Sequence, residues 1–125
     1  MQTTPFIAIG AALAFLSVAF GAFGAHALKN ILSPQMLVIF HTAVDYQTWH
    51  ALGLLIIGML YQNRPSRLLH KAGWIMLAGI IIFSGSLYAL SLSGIKVLGA
   101  ITPIGGTALL IAWVMVVIYA IKKQP

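Results

Sequence analysis

Asp45 is the only acidic residue in a chain of 125. His41 lies four residues before it and Trp49 four after, so on a helix all three share a face, and an Asp–His pair at this spacing can share a hydrogen bond. A carboxylate so placed orients or polarises an imidazole, the pairing that general-base chemistry uses. His26 can reach the same layer from an earlier helix. His50 faces the side opposite His41, with Tyr46 near it and Gln47 flanking. Two histidine-bearing faces on one helix speak against a single metal centre. Zinc needs three or four ligands converging at about 2 Å, and neither an HxxxH nor an HxxE spacing occurs. An axial haem ligand at His26 or His50 has no second feature behind it, and membrane histidines commonly hydrogen-bond neighbouring helices. The chain has no cysteine, which excludes disulfides, a thiol nucleophile, thiolate zinc sites and iron–sulfur clusters. No catalytic residue, metal ligand set or cofactor is therefore expected.

The elements that position these residues follow from composition. The chain is 61% hydrophobic and 6% charged, against about 25% charged in ordinary soluble domains. A soluble domain this small cannot hide so much apolar surface. A soluble globular protein, a disordered chain and a nucleic-acid-binding domain are excluded, and lipid is the fitting solvent. Spanning helices need about 20 apolar residues. Four stretches qualify, at about 6–25, 34–61, 72–92 and 103–121. They predict one all-α membrane domain over residues 1–125, a four-helix bundle. Arg64, Arg67, Lys71, Lys122 and Lys123 fall on one side, Lys29 and Lys96 on the other. The excess marks the cytoplasmic face, so both termini are expected inside a bacterial inner membrane, with those five side chains near anionic headgroups. Tyr61, Trp74 and Tyr119 near the inner ends, and Tyr46, Trp49 and Tyr88 toward the outer ends, read as two interfacial belts. Ala25-His26-Ala27 has the form of a signal-peptide cleavage site. The residues Met1-Gln2-Thr3-Thr4 carry no positive charge, so the first span is expected to remain.

Small residues predict where helix backbones approach. Gly10, Ala14, Ser17, Gly21 and Ala25 share a face of the first span. Ala72, Gly79 and Ser86, with Gly85 and Ala89, do so on the third, and Gly105, Ala108 and Ala112 on the fourth. Depth along each helix, at about 1.5 Å per residue, gathers the polar side chains in the outer half. His26, His41, Asp45, His50, Ser84, Ser86, Tyr88, Thr102 and Thr107 all fall there. An ionised carboxylate at the bilayer centre costs at least ~2.5 kcal/mol, so Asp45 is expected to face the bundle interior with a partner. Thr102 suits an N-cap and Pro103 the first helical position, and Gly105 and Gly106 bare the N–H groups there. Such a positive helix end can hold an anion or a carboxylate.

Four segments resemble the family of small bacterial and mitochondrial membrane proteins called domain of unknown function 423, whose vertebrate member is transmembrane protein 256. They are Phe20-Gly21-Ala22-Phe23-Gly24-Ala25-His26-Ala27-Leu28, Asp45-Tyr46-Gln47 with His50-Ala51-Leu52, Phe83-Ser84-Gly85-Ser86-Leu87-Tyr88, and Thr102-Pro103-Ile104-Gly105-Gly106, followed by Trp113. Ala112 stands where the resemblance implies glycine, and Asp45 where it implies glutamate. The resemblance implies four spans and no established activity. The expected function is that of an accessory or scaffold protein, packing with itself or a larger membrane complex. The alternative is a binding or transport module for a lipid, quinone or small anion, held among Asp45, Gln47, His50, His26, His41, Ser84, Ser86, Tyr88, Thr102, Gly105 and Gly106.

Overall fold

A computed structural model describes residues 3–122; Lys123 lies outside them. Their regular structure is helical throughout. Helix α1 (Phe6–Val18) widens into a π-helical turn over Ala19–Gly24 and closes as α2 (Ala25–Leu28). Then come α3 (Pro34–Asn63), α4 (Arg67–Ser93), a 3-10 segment (Lys96–Ala100) and α5 (Thr102–Ile121). The boundaries have local causes. Ser33 caps α3 by accepting from Met36 N–H at 3.2 Å, with Pro34 in the first turn, where its missing N–H costs nothing. Ser66 caps α4 by accepting from Leu68 N–H at 3.1 Å. Gly94 ends α4 at φ 75°, a conformation open to a residue without Cβ.

Among the described residues three helical stretches are long and apolar enough to cross a membrane: Phe6–Leu28, Arg67–Ser93 and Lys96–Ile121. Helix α3, expected as a span, falls outside that set. Its 30 residues would measure about 45 Å, but Gln47, His50, His41, Asp45 and the polar ends dilute its hydropathy. It packs between α1 and α4 and keeps one exposed face. Helix α1 lies against α3, α3 against α4, and α4 against α5.

Successive long helices run antiparallel. At one end Phe6 packs edge-on against Trp74, ring centres 5.2 Å apart, and Arg64 meets Tyr119. At the other end Phe20 and Phe40 each meet Tyr88 at 5.4 Å. Arg64, Arg67, Lys71 and Lys122 therefore share an end, opposite Lys29 and Lys96. The core between them is built from Phe6, Leu54, Ile57, Leu69, Met76 and Leu109.

The small-residue stripes set the helix approaches. A Cβ on Gly10 would stand 2.8 Å from the Ala51 carbonyl oxygen, so α1 and α3 touch backbone to backbone. A Cβ on Gly105 would strike the Phe83 backbone, which brings α5 equally close to α4. On α4 the stripe is narrower than expected. Ala72, Gly79 and Ser86 are buried, but Gly85 and Ala89 face outward, with nothing within 4 Å of a Cβ on Gly85. The belt reading also needs correction. Tyr61 and Tyr119 are core residues at the basic end, because the helices close over their rings, whereas Trp74 is exposed.

Candidate functional site

Gln47 is the polar hub of the interior. It projects from α3 between α1 and α4 and is 3% exposed. Its Nε2 donates to the Leu13 carbonyl at 2.9 Å, and its Oε1 accepts from the Tyr88 hydroxyl at 2.5 Å. The Leu13 carbonyl also accepts from Ser17 at 3.0 Å. One amide thus ties three helices together, which suits a medium where an unmade hydrogen bond has no water to replace it. Around this hub the Ser84 hydroxyl donates to the Ala43 carbonyl at 2.8 Å, and Ser86 and Thr102 share a bond of 2.6 Å. Beside Tyr88 lies an apolar cavity of about 430 Å³ walled by Phe20, Gly24, Leu28, Phe40 and Leu92.

Thr102 is the first residue of α5, not its N-cap. Ile101, whose side chain has no polar atom, holds the cap position, and the Thr102 hydroxyl bonds Ser86 instead. The preceding 3-10 segment runs into α5 through Ile101, whose carbonyl accepts from Ile104 N–H at 3.0 Å. The Phe83 backbone fills the space at Gly105. At the expected positive end, Gly105 is thus covered by Phe83, while Gly106 borders a cavity.

His50 sits on a different face of α3. It is 6% exposed, and its Nδ1 lies 2.7 Å from the Tyr46 carbonyl. It lines a second cavity, of about 360 Å³, with Tyr46, Pro103, Gly106, Thr107, Leu109, Leu110 and Trp113. The cavity exists because Trp113 wedges between α5 and α3. A Cβ on Gly53 would stand 2.9 Å from the indole, so only a glycine there admits the ring. Sequence reasoning missed this wall. Its signal was a glycine three residues after His50, on the same helix face, with an unassigned Trp opposite.

The other expected site residues are elsewhere. Asp45, His41 and His26 are exposed. At about 100° per residue, Asp45 is turned roughly 200° from both Ala43 and Gln47, which face α4 and α1. With those two neighbours on its buried sides, α3 carries Asp45 outward. This overturns the expectation of an interior carboxylate. Among the described residues Asp45 has no hydrogen-bond or ion-pair partner, and His41 does not bond to it. Among the same residues no group of three or more His, Asp or Glu side chains converges on one point.

Residues 20–106 match a family model described as protein of unknown function, DUF423. The chain belongs to this family. The UPF0382 membrane protein YwdK of Bacillus subtilis is 48% identical over 118 residues, covering 94% of this chain and 96% of its own. The UPF0382 membrane protein SAB0533 of Staphylococcus aureus is 49% identical over 117 residues, covering 94% and 95%. No solved structure matches the chain. These relatives are named membrane proteins, in keeping with the three long apolar helices, and the DUF423 description carries no activity. The matched stretch holds Gln47, His50, Ser84, Tyr88, Ser86 and Thr102, but ends before Trp113.

Proposed function

We propose that this DUF423 protein is an accessory or scaffold protein of the bacterial cytoplasmic membrane that docks through the outer face of α3. The reading rests on Asp45. Val38, His41, Asp45, Trp49, Leu52 and Ile56 form one exposed stripe at spacings of three and four residues. The lone acidic side chain of the protein stands in that stripe without a partner among the described residues. A carboxylate left against lipid is costly, and intramembrane ionisable groups commonly meet a partner. A second copy of the chain supplies suitable groups, since imidazole and indole N–H donors flank the carboxylate one turn away on either side. Four crossings, with both termini inside, fit the basic end formed by Arg64, Arg67, Lys71 and Lys122, and with Lys123 these meet anionic headgroups.

Cysteine cross-linking in native membranes tests the docking face, because the natural chain has no cysteine. Leu52→Cys and Ile56→Cys are expected to form oxidative dimers, and Ile81→Cys and Leu110→Cys, on other exposed faces, are not. A cross-link to a larger protein would replace the second copy by a membrane complex. Equal cross-linking from all four positions, or from none, would refute the docking face.

A further inference from the structure

The cavity beside His50 is built to hold one kind of group. A carbonyl only accepts, so the 2.7 Å contact with Tyr46 fixes the proton on His50 Nδ1. In the neutral ring Nε2 is then a hydrogen-bond acceptor, and it has no partner among the described residues. The imidazole is buried yet lines the cavity. Two of the remaining walls, Tyr46 and Trp113, are flat and aromatic, and the others come from α5 residues such as Thr107 and Leu109. The Tyr46 ring lies nearly parallel to the imidazole, at 12° and 6.1 Å, and the Trp113 ring stands 5.8 Å from it. Gly106 contributes no side chain to fill the space, and exposed Leu110 stands at the mouth, on the apolar outer side of α5. A volume of about 360 Å³ is within the range of small-ligand sites.

We propose that this cavity binds the head of a membrane-soluble quinol. The aromatic ring packs against Tyr46 and Trp113, one hydroxyl donates to His50 Nε2, and the tail leaves past Leu110 into lipid. The matching quinone presents only acceptors, so it meets the Nε2 lone pair without a proton between them. The His50 contact therefore favours the reduced form, whereas the Tyr46 hydroxyl and the Trp113 indole N–H are donors open to either form. It opens toward α5 rather than onto the Asp45 stripe, which it meets only where Tyr46 packs against Trp49 at 4.9 Å; quinol titration reads the cavity and cross-linking reads the stripe.

The test uses the full chain in phospholipid nanodiscs, with Trp49→Phe and Trp74→Phe so that Trp113 is the remaining indole. A decyl-substituted benzoquinol is titrated anaerobically, and the midpoint of Trp113 quenching is read. Saturable binding is expected. The midpoint should be about fivefold weaker for the di-O-methyl ether of the same ring and for the oxidised quinone, the cost of one lost hydrogen bond. His50→Leu should weaken quinol binding by a similar factor and abolish the preference over the ether. Gly106→Leu fills the cavity from the opposite wall and should abolish binding. Should His50→Leu not fold, as judged by circular dichroism, the ether and quinone comparisons decide with His50 intact. Linear, unsaturable quenching would overturn the proposal, as would equal midpoints for quinol and ether. Equal competition by decanol would make the cavity an acyl-chain slot and would also overturn it.

Discussion

The Tyr119 hydroxyl, near the end of α5, donates to the Arg64 carbonyl at 3.1 Å, and the Arg64 guanidinium lies 4.5 Å from the centre of the same ring. One tyrosine thus fastens the α3–α4 turn to the last turn of α5. The cation rests on the ring face, and its buried Nε has no hydrogen-bond partner among the described residues. Tyr119→Phe should cost about 1 kcal/mol, the net worth of one hydrogen bond. Tyr119→Ala should cost about 3–5 kcal/mol, because it also empties a buried site. Thermal unfolding in detergent micelles separates the two. Equal losses would mean that the hydroxyl, not the ring, holds this end together.

The glycines of α1 and α4 should respond in opposite directions. Gly10→Ala forces a methyl against the Ala51 carbonyl and should destabilise by about 1–3 kcal/mol. Gly85→Ala meets nothing within 4 Å and should stabilise by about 0.5–1 kcal/mol, through helix propensity alone. The same unfolding assay reads both, and a destabilised Gly85→Ala would contradict the outward placement of that residue.

The Gln47–Tyr88 bond should behave as a coupled pair. Tyr88→Phe leaves Gln47 Oε1 without its donor and should cost about 1 kcal/mol. Adding Gln47→Leu removes the orphaned acceptor, so the double variant should cost less than the sum of the two single changes. A double-mutant cycle that closes additively would show that the contact carries no net energy.

Asp45→Asn should leave the stability of the isolated chain within about 0.5 kcal/mol, because the carboxylate has no partner among the described residues. The same change should weaken the Leu52→Cys and Ile56→Cys cross-links. A large loss of monomer stability would place Asp45 in an internal contact and remove the basis for the docking face.

The sequence and the fold agree where one helix suffices to decide. The Gly10 and Gly105 approaches were legible because a glycine at a small-residue spacing has the same meaning whichever neighbour arrives. Asp45 was not, since its spacing from His41 puts both on one face without saying which face α1 and α4 occupy. Thr102 was misread for a related reason. A hydroxyl before a proline suits a cap, but Ser86, sixteen residues away in the chain, takes that hydroxyl first. The layer of polar residues was visible as depth, yet depth alone merged two separate places. Gln47, with Tyr88 reaching it from α4, belongs to one face of α3 and His50 to another, and only the positions of α1 and α5 divide them.

The π-helical turn at Ala19–Gly24 makes the first span tolerant of a change in length. A turn closed by i→i+5 bonds holds one residue more than an ordinary one. Deleting a single residue there would let the backbone tighten into an unbroken α-helix, whereas the same deletion beside Gly10 would break the register against α3. Five residues in α conformation turn through nearly the same angle as six in π conformation, so the residues beyond the joint would keep their facing. Gly24 lies against Phe40 at the far end of this joint, so a chain shortened by one residue at Ala22 would keep both its crossing and that contact.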